Sequence, residues 1–165
     1  MRKNRLLIIL IIAAATYACN NNELSAEDIN VDDQYACALL IDIGGIKYLN
    51  GNRFSGSCQL LQSDIDASAE DIKIETQSYV NGVGNGVFVG YYYPEGNIAY
   101  IGYRKDGEIN GKFNRFYKNG QRSLVGKFRY GLYQGKFNYY DASGKLNTSE
   151  WYDKYGVLTK AKEYE

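Results

Sequence analysis

The sequence predicts an all-β protein, an elongated single-layer antiparallel β-meander made of hairpin repeats of about 24 residues. Glycines recur at a fixed interval, turn dipeptides that end in glycine fall every 11 to 14 residues, and residues between the turns alternate in character. Self-similarity at this period is typical of an array whose units are too small to bury a core alone.

One pattern of 24 residues occurs three times, over 79–102, 103–126 and 127–150. Its glycines keep the same spacing, and a phenylalanine always follows the second glycine by two residues. The repeat-defining residues are Gly82, Gly86, Phe88, Gly96, Gly107, Gly111, Phe113, Gly120, Gly131, Gly135, Phe137, Gly144 and Gly156.

Turn chemistry predicts the hairpins. Asn-Gly pairs such as Asn81-Gly82 and Asn119-Gly120 are the strongest short hairpin signals, because a two-residue type I′ turn needs positive φ at both central positions. Between turns, period-two alternation should place side chains on opposite faces of each strand.

Alternation in the third copy gives a concrete example. Phe137 and Tyr139 are expected on one face of their strand, and Lys136 and Tyr140 on the other. The second glycine of each copy begins a strand, and we expect its missing side chain to make room for an aromatic ring from a neighbouring strand. Stacked repeats would then align the three phenylalanines of the pattern into a ladder.

The pattern G-x-F, an aromatic pair and x-x-G, as in residues 111–120 and 135–144, resembles the MORN-repeat variant. Proteins with arrays of this variant are grouped as YwqK-type, a family labelled the antitoxin half of a toxin-antitoxin pair. The resemblance covers about residues 46–160. It implies the repeat fold and, through the family label, an antitoxin role.

The N-terminus has the features of an exported lipoprotein. Residues 1–18 combine a basic start with a short apolar stretch and predict a signal peptide. Residues 16–19 resemble a lipobox of the looser kind found in Bacteroidetes lipoproteins, which makes Cys19 the predicted lipidation site. Residues 19–34 would then form a lipid-anchored tether. The alternative is an ordinary secretory signal.

Three cysteines are an odd number for an exported protein. If Cys19 carries lipid, Cys37 and Cys58 remain as a candidate disulfide pair. Sequence alone does not decide whether they pair.

The flanks of the array are predicted as atypical units. Residues 35–78 form a degenerate first repeat with a strand cap, in which Ala36–Ile43 and Ile46–Leu49 are strands and Ile72–Tyr79 is the return strand. Residues 151–165 form a C-terminal partial repeat. Terminal units of arrays often differ because they must cap the stack.

Charge is unevenly distributed. Residues 20–78 hold 3 basic and 11 acidic residues, whereas 79–165 hold 13 basic and 8 acidic, a net charge of +5. A basic array suits an anionic surface, such as lipid headgroups or an acidic partner. Lysines on exposed strands also prevent sheets from aggregating, which is the structural alternative.

The sequence offers little catalytic chemistry. It has no histidine, the commonest general base, and no serine, cysteine or lysine in a recognisable nucleophile setting. We therefore predict no enzyme, no catalytic residue, no metal site and no cofactor.

Tyrosine is abundant in the repeats, with 13 of the 17 tyrosines between residues 79 and 155. Exposed phenol rings suit binding to sugars, peptides or headgroups, and cross-strand ladders are the structural alternative. The candidate binding residues are Tyr91, Tyr93, Tyr117, Tyr139, Tyr140 and Trp151.

These features predict a non-enzymatic, lipid-anchored binding or scaffold module of the bacterial cell envelope. The expected location is the outer membrane, on the periplasmic side by default and on the cell surface as the alternative. Its expected partner is a protein, such as a toxin, or an envelope component, and not nucleic acid. Two further hypotheses are an antitoxin or immunity protein that masks a toxin, and a cell-wall glycan-binding repeat protein.

Overall fold

The computed structural model describes residues 35–70 and 72–165. The predicted signal peptide, the lipobox with Cys19, and the tether lie outside the described residues. Within the described part of the chain, no helix has the length and apolar character needed to cross a membrane.

The fold is nearly all β, which confirms the predicted class. Most of the chain forms one sheet of twelve strands, and three strands near the N-terminus form a second sheet. The strand order of the large sheet is β1-β5-β6-β8-β9-β10-β11-β13-β14-β15, with β7 beside β6 and β12 beside β11. From β5 onward neighbouring strands are antiparallel. The strands are β1 (Tyr35–Ala36), β2 (Ile41–Ile43), β3 (Ile46–Leu49), β4 (Asn52–Arg53), β5 (Gly56–Leu61), β6 (Lys73–Val80), β7 (Val83–Gly84), β8 (Gly86–Tyr91), β9 (Ile98–Lys105), β10 (Glu108–Phe116), β11 (Arg122–Arg129), β12 (Leu132–Tyr133), β13 (Gly135–Tyr140), β14 (Leu146–Tyr152) and β15 (Leu158–Glu163).

The hairpin turns within the three copies fall into two classes, which lie at opposite ends of the strands. At one end of the strands both central residues of the turn have positive φ, as in Asn81-Gly82 with φ of 51° and 80°. Tyr130-Gly131 has the same conformation, with φ of 49° at Tyr130. Asn119-Gly120 lies at the other end of the strands, and of these two residues only Gly120 has positive φ. The type I′ expectation is therefore wrong for Asn119-Gly120, where the chain makes a longer turn in which Tyr117 N–H donates to Gln121 O.

The second glycine of each copy is required for its backbone conformation, and at Gly86 also for room, because a Cβ there would approach Ser78 Cβ to 2.9 Å. Gly86, Gly111 and Gly135 have φ of 111°, 108° and 70°, in the region that side chains disfavour. A Cβ on Gly135 would meet nothing within 4 Å. The expectation that a ring lies over these glycines is wrong. The strand bulges here, as shown by the register shift between Ile109 and Phe113.

Other glycines do lie beneath aromatic rings. A Cβ on Gly102 would approach Phe88 Cζ to 2.8 Å and Phe113 Cδ2 to 2.9 Å. A Cβ on Gly126 would overlap the ring of Phe137. These glycines end the first and second copies, and their bare backbone lets the rings lie flat against the sheet.

The phenylalanine ladder exists, with an additional ring in it. The ring centroids of Phe88 and Phe113 are 6.3 Å apart. Phe128, from the return strand, then lies 5.5 Å from Phe113 and 5.4 Å from Phe137. Phe137 is fully buried, with the rings of Phe128, Tyr133 and Tyr152 around it. We call this side of the sheet the aromatic face.

The N-terminal end departs from the predicted meander. Residues 36–43 are not one strand, because a 3-10 turn at Cys37–Leu39 separates β1 from β2. β1 pairs with β5 in parallel. Cys37 and Cys58 are joined by a disulfide, so Cys37 turns away from the strand direction towards the buried Cys58. The predicted return strand is present as β6.

Candidate binding surface

The face opposite the aromatic face carries a row of mostly short side chains that crosses the whole array in register. Successive members are paired across neighbouring strands. Several are almost completely buried, including Asn114 at 6% and Ser149 at 0% exposure. We call this row the central row; its members are Thr76, Val89, Ile101, Asn114, Val125, Asn138, Ser149 and Lys162.

Two residues along each strand from the central row lies a line of exposed lysines. Lys112 is directly opposite Lys127 across β10 and β11. Lys136 and Lys160 are each opposite Trp151, from the strands on its two sides. We call Lys112, Lys127, Lys136 and Lys160 the lysine row, and this side of the sheet the lysine face.

Trp151 is surrounded by positive charge. The Nζ atoms of Lys136 and Lys160 lie 5.2 Å and 4.9 Å from the centre of its ring. Such contacts are favourable cation–π interactions. They hold two ammonium groups in fixed places on the surface.

On the four C-terminal strands acidic residues are segregated from the lysines, whereas Glu108 on β10 is opposite Lys105 and lies on the lysine face. Strands β11, β13, β14 and β15 contain two carboxylates, Glu150 and Glu163. Glu150 is opposite Phe137 and Glu163 is opposite Thr148, so both belong to the aromatic face. Among the described residues, Lys127, Lys136 and Lys160 make no ion pair. The lysine face is therefore uniformly positive across these strands.

The titration of Tyr164 reflects this positive field. The pKa of Tyr164 is lowered, first by a hydrogen bond with Ser149 and then by the charges of Lys162, Lys136 and Lys160. Lys162 Nζ also lies 4.5 Å from the centre of the Tyr164 ring. The electrostatic environment favours a negative charge at this end of the face.

Polar groups lie beside the lysines in the central row. Ser149 Oγ donates a hydrogen bond of 2.7 Å to Asn138 Oδ1. Because that bond engages the carbonyl oxygen, the amide NH2 is the part of Asn138 available as a donor. Lysine ammonium groups and an amide donor together make a surface that recognises acceptors and anions.

The aromatic face contains a different polar cluster. Tyr152 donates a hydrogen bond of 2.6 Å to Glu150 Oε2. Burial, and then hydrogen bonding with Glu150 and Tyr152, raises the pKa of Tyr139 far above its ordinary value. Tyr139 therefore stays protonated, as a hydrogen-bonded member of the packed face.

The structure does not bring the six predicted binding residues into one surface. Tyr139 lies on the aromatic face, and Trp151 lies in the lysine row. Tyr91 and Tyr140 lie on the lysine face, on the far side of the central row from the lysines.

The remaining two candidates, Tyr93 and Tyr117, lie just after β8 and β10, in the turns that contain Gly96 and Gly120. Tyr117 donates a hydrogen bond of 2.8 Å to the carbonyl oxygen of Tyr140. That bond ties one repeat to the next, so Tyr117 has a structural contact. Tyr93 is exposed and precedes Pro94.

Sequence analysis missed the lysine row as a site. The signal was available, because Lys112 and Lys136 each lie between a strand glycine and a phenylalanine in the sequence G-K-F. Alternation puts such a lysine on the face opposite the ring. Which lysines of different strands fall side by side depends on register, which the sequence pattern alone did not specify.

The described residues contain no group of three or more histidine, cysteine, aspartate or glutamate side chains that could hold a metal ion. No protein-family model matches the chain. No characterised protein matches it with significant similarity. The class that the fold defines is an all-β repeat protein whose hairpin units form an antiparallel meander.

Proposed function

We propose that the protein is a non-enzymatic binding module of the bacterial cell envelope that works through its lysine face. The lipobox-like sequence supports attachment to the outer membrane through a lipid on Cys19. The observation that carries the proposal is the row of lysines around Trp151, on four neighbouring strands whose carboxylates lie on the other face.

Edge protection does not explain the row. Lysines on an edge strand discourage sheets from pairing, which accounts for Lys160 on β15. Lys112, Lys127 and Lys136 lie on interior strands, whose edges are already paired. In the part of the chain that the structure describes, Lys127 and Lys136 make no ion pair. A bound anionic partner would supply their counter-charge.

The test is an affinity pull-down from envelope extract, with a soluble form of the chain that begins at residue 20. The triple variant Lys127→Gln, Lys136→Gln and Lys160→Gln removes three charges from the face. The matched control, Lys118→Gln, Lys145→Gln and Lys154→Gln, removes three exposed charges outside the strands. We expect a component that the wild type and the control retain and the face variant loses.

The identity of what is retained separates the hypotheses. One small protein recovered in stoichiometric amount, and encoded next to this chain, would favour the antitoxin or immunity role. Glycan or lipid would favour an envelope-component role. Identical retention by all three forms would contradict binding through the lysine face.

A further inference from the structure

We propose that the lysine face binds a linear acidic polysaccharide, which lies across the strands along the lysine row. This inference rests on the binding module proposed above and names its ligand class. Two observations carry it: the lysines and Trp151 occupy five neighbouring strands, and polar side chains lie beside them.

The geometry of the row suits an extended polyanion. The lysines and Trp151 lie on β10, β11, β13, β14 and β15, one on each of five neighbouring strands. Neighbouring strands are about 4.8 Å apart, so the row is roughly 20 Å long. A chain with a negative group on successive residues can meet several lysines at once. A single small anion would leave most of the row without a counter-charge.

The neighbours of the row suit a hydroxyl-rich chain. The amide of Asn138 lies two residues from Lys136 on the same face, and its Oδ1 accepts from Ser149. Its NH2 group can then donate to a sugar hydroxyl or ring oxygen.

A bilayer is a poorer fit. Proteins that lie on membranes insert large apolar side chains between the headgroups. The exposed large apolar residues near the row include Tyr130, Leu132, Tyr155 and Val157, which lie on turns or on β12 and not between the lysines. One of them, Leu132, is opposite Arg129 and flanks the row on the lysine face. A nucleic acid is also a poorer fit, because single strands are held by exposed rings that stack on bases. The ring of Trp151 is half-buried and lies beneath two lysine ammonium groups.

The first experiment uses Trp151 as its reporter, since it is the only tryptophan in the chain. Full-length protein is titrated with polygalacturonate while tryptophan fluorescence is recorded. The control ligand is the methyl-esterified polymer, which has the same sugar backbone without its charges. We expect saturable quenching or enhancement with the acid and none with the ester. Equal responses to both, or no response to either, would overturn the inference.

The second experiment locates the site by calorimetry. Fluorescence is unsuitable here, because the substitutions at Lys136 and Lys160 alter the surroundings of Trp151 directly. Lys127→Gln, Lys136→Gln and Lys160→Gln together should weaken polygalacturonate binding roughly tenfold, at a few tenths of a kcal/mol for each exposed pair. The control triple at Lys118, Lys145 and Lys154 should stay within about twofold of wild type. Equal losses in both triples would mean general electrostatic attraction and would overturn the assigned site.

Two further ligands separate this inference from the proposed function. Phosphatidylglycerol vesicles and single-stranded DNA are offered under the same conditions. Lysine-dependent binding to either one, with no binding of polygalacturonate, would overturn the polysaccharide and leave the binding module standing. If a partner from the pull-down depends on the lysine row but polygalacturonate does not bind, the ligand class alone is wrong.

Discussion

The two ends of the large sheet are completed in different ways. At the N-terminal end, the two-residue strand β1 lies beside β5, and the Cys37–Cys58 disulfide fixes the segment that follows. A cluster of buried side chains supports it, formed by Leu40, Phe54, Cys58 and Tyr79. At the C-terminal end, β15 pairs with β14, and all six of its residues are exposed.

The difference shows two solutions to one problem. A sheet end presents unpaired backbone groups that can recruit another strand. The N-terminal end is shortened, covered and covalently fixed. The C-terminal end keeps a full strand. Its protection against pairing with another strand comes from Lys160 and Lys162, which both lie on the lysine face. The following predictions test these solutions and the array between them.

The largest effect is expected from the N-terminal end. Replacing Cys37 and Cys58 together with alanine should lower the free energy of unfolding by about 3 kcal/mol, because the bridge closes a loop between residues 21 apart in sequence. Chemical denaturation measures the loss, and hydrogen exchange should locate it in β2 to β5. Reductant should have a similar effect on the wild type and none on the variant. A wild-type transition that ignores reductant would contradict the prediction.

The next effect is in the array. Gly126→Ala would place a methyl group in the ring of Phe137, which is fully buried and cannot move away freely. We expect a loss of about 2 kcal/mol. Gly84→Ala is the matched control, because its Cβ would meet the flexible Arg104 side chain at 3.3 Å. Equal losses in the two variants, by thermal or chemical denaturation, would argue against a rigid aromatic face.

The central row allows a direct comparison of the two ends. Thr76 and Ser149 are both buried, but Thr76 Oγ1 has no hydrogen-bond partner whereas Ser149 bonds to Asn138. Thr76→Val should therefore stabilise the fold by about 1 kcal/mol. Ser149→Ala should destabilise it by about the same amount, because Asn138 loses its partner. Effects of the same sign in both denaturation curves would show that the hydroxyls are equivalent.

The smallest effect on stability is expected at the open edge, where the main result is association. In every two-fold antiparallel pairing of β15 with itself that overlaps both lysines, a lysine opposes a lysine on the same face. Lys160→Thr with Lys162→Thr should remove that repulsion and change monomer stability by only about 0.5 kcal/mol. Light scattering after size exclusion should detect larger species for this variant. Lys145→Thr with Lys154→Thr, on turns, should behave as the wild type does; the same size distribution for all three would contradict charge protection.

Sequence reasoning predicted the elements well where local chemistry decides. Alternation placed Phe137 and Tyr139 on one face and Lys136 and Tyr140 on the other, as the strand pairing has them. It was less successful with turn types. Tyr130 adopts positive φ because a two-residue connection demands it, whatever the residue.

Sequence reasoning also explained the second glycine of each copy wrongly. Gly86 and its equivalents were expected under aromatic rings, whereas Gly102 and Gly126 lie there. Distinguishing these uses requires the bulge and the register, which are properties of paired strands. The lysine row has the same origin, since Lys112 and Lys127 are 15 residues apart and meet only through pairing.

Hairpin connectivity also bears on how the chain folds. Registered partners in the large sheet are near one another in sequence, as with Gly56 and Tyr79 or Gly135 and Tyr152. All-β proteins usually fold slowly because distant strands must first be brought together. Here each hairpin can add to the one before it, so contact order is low and the sheet can grow from either end or from the middle. If growth follows the order of synthesis, the covered end forms first and the charged strand β15 completes the sheet last.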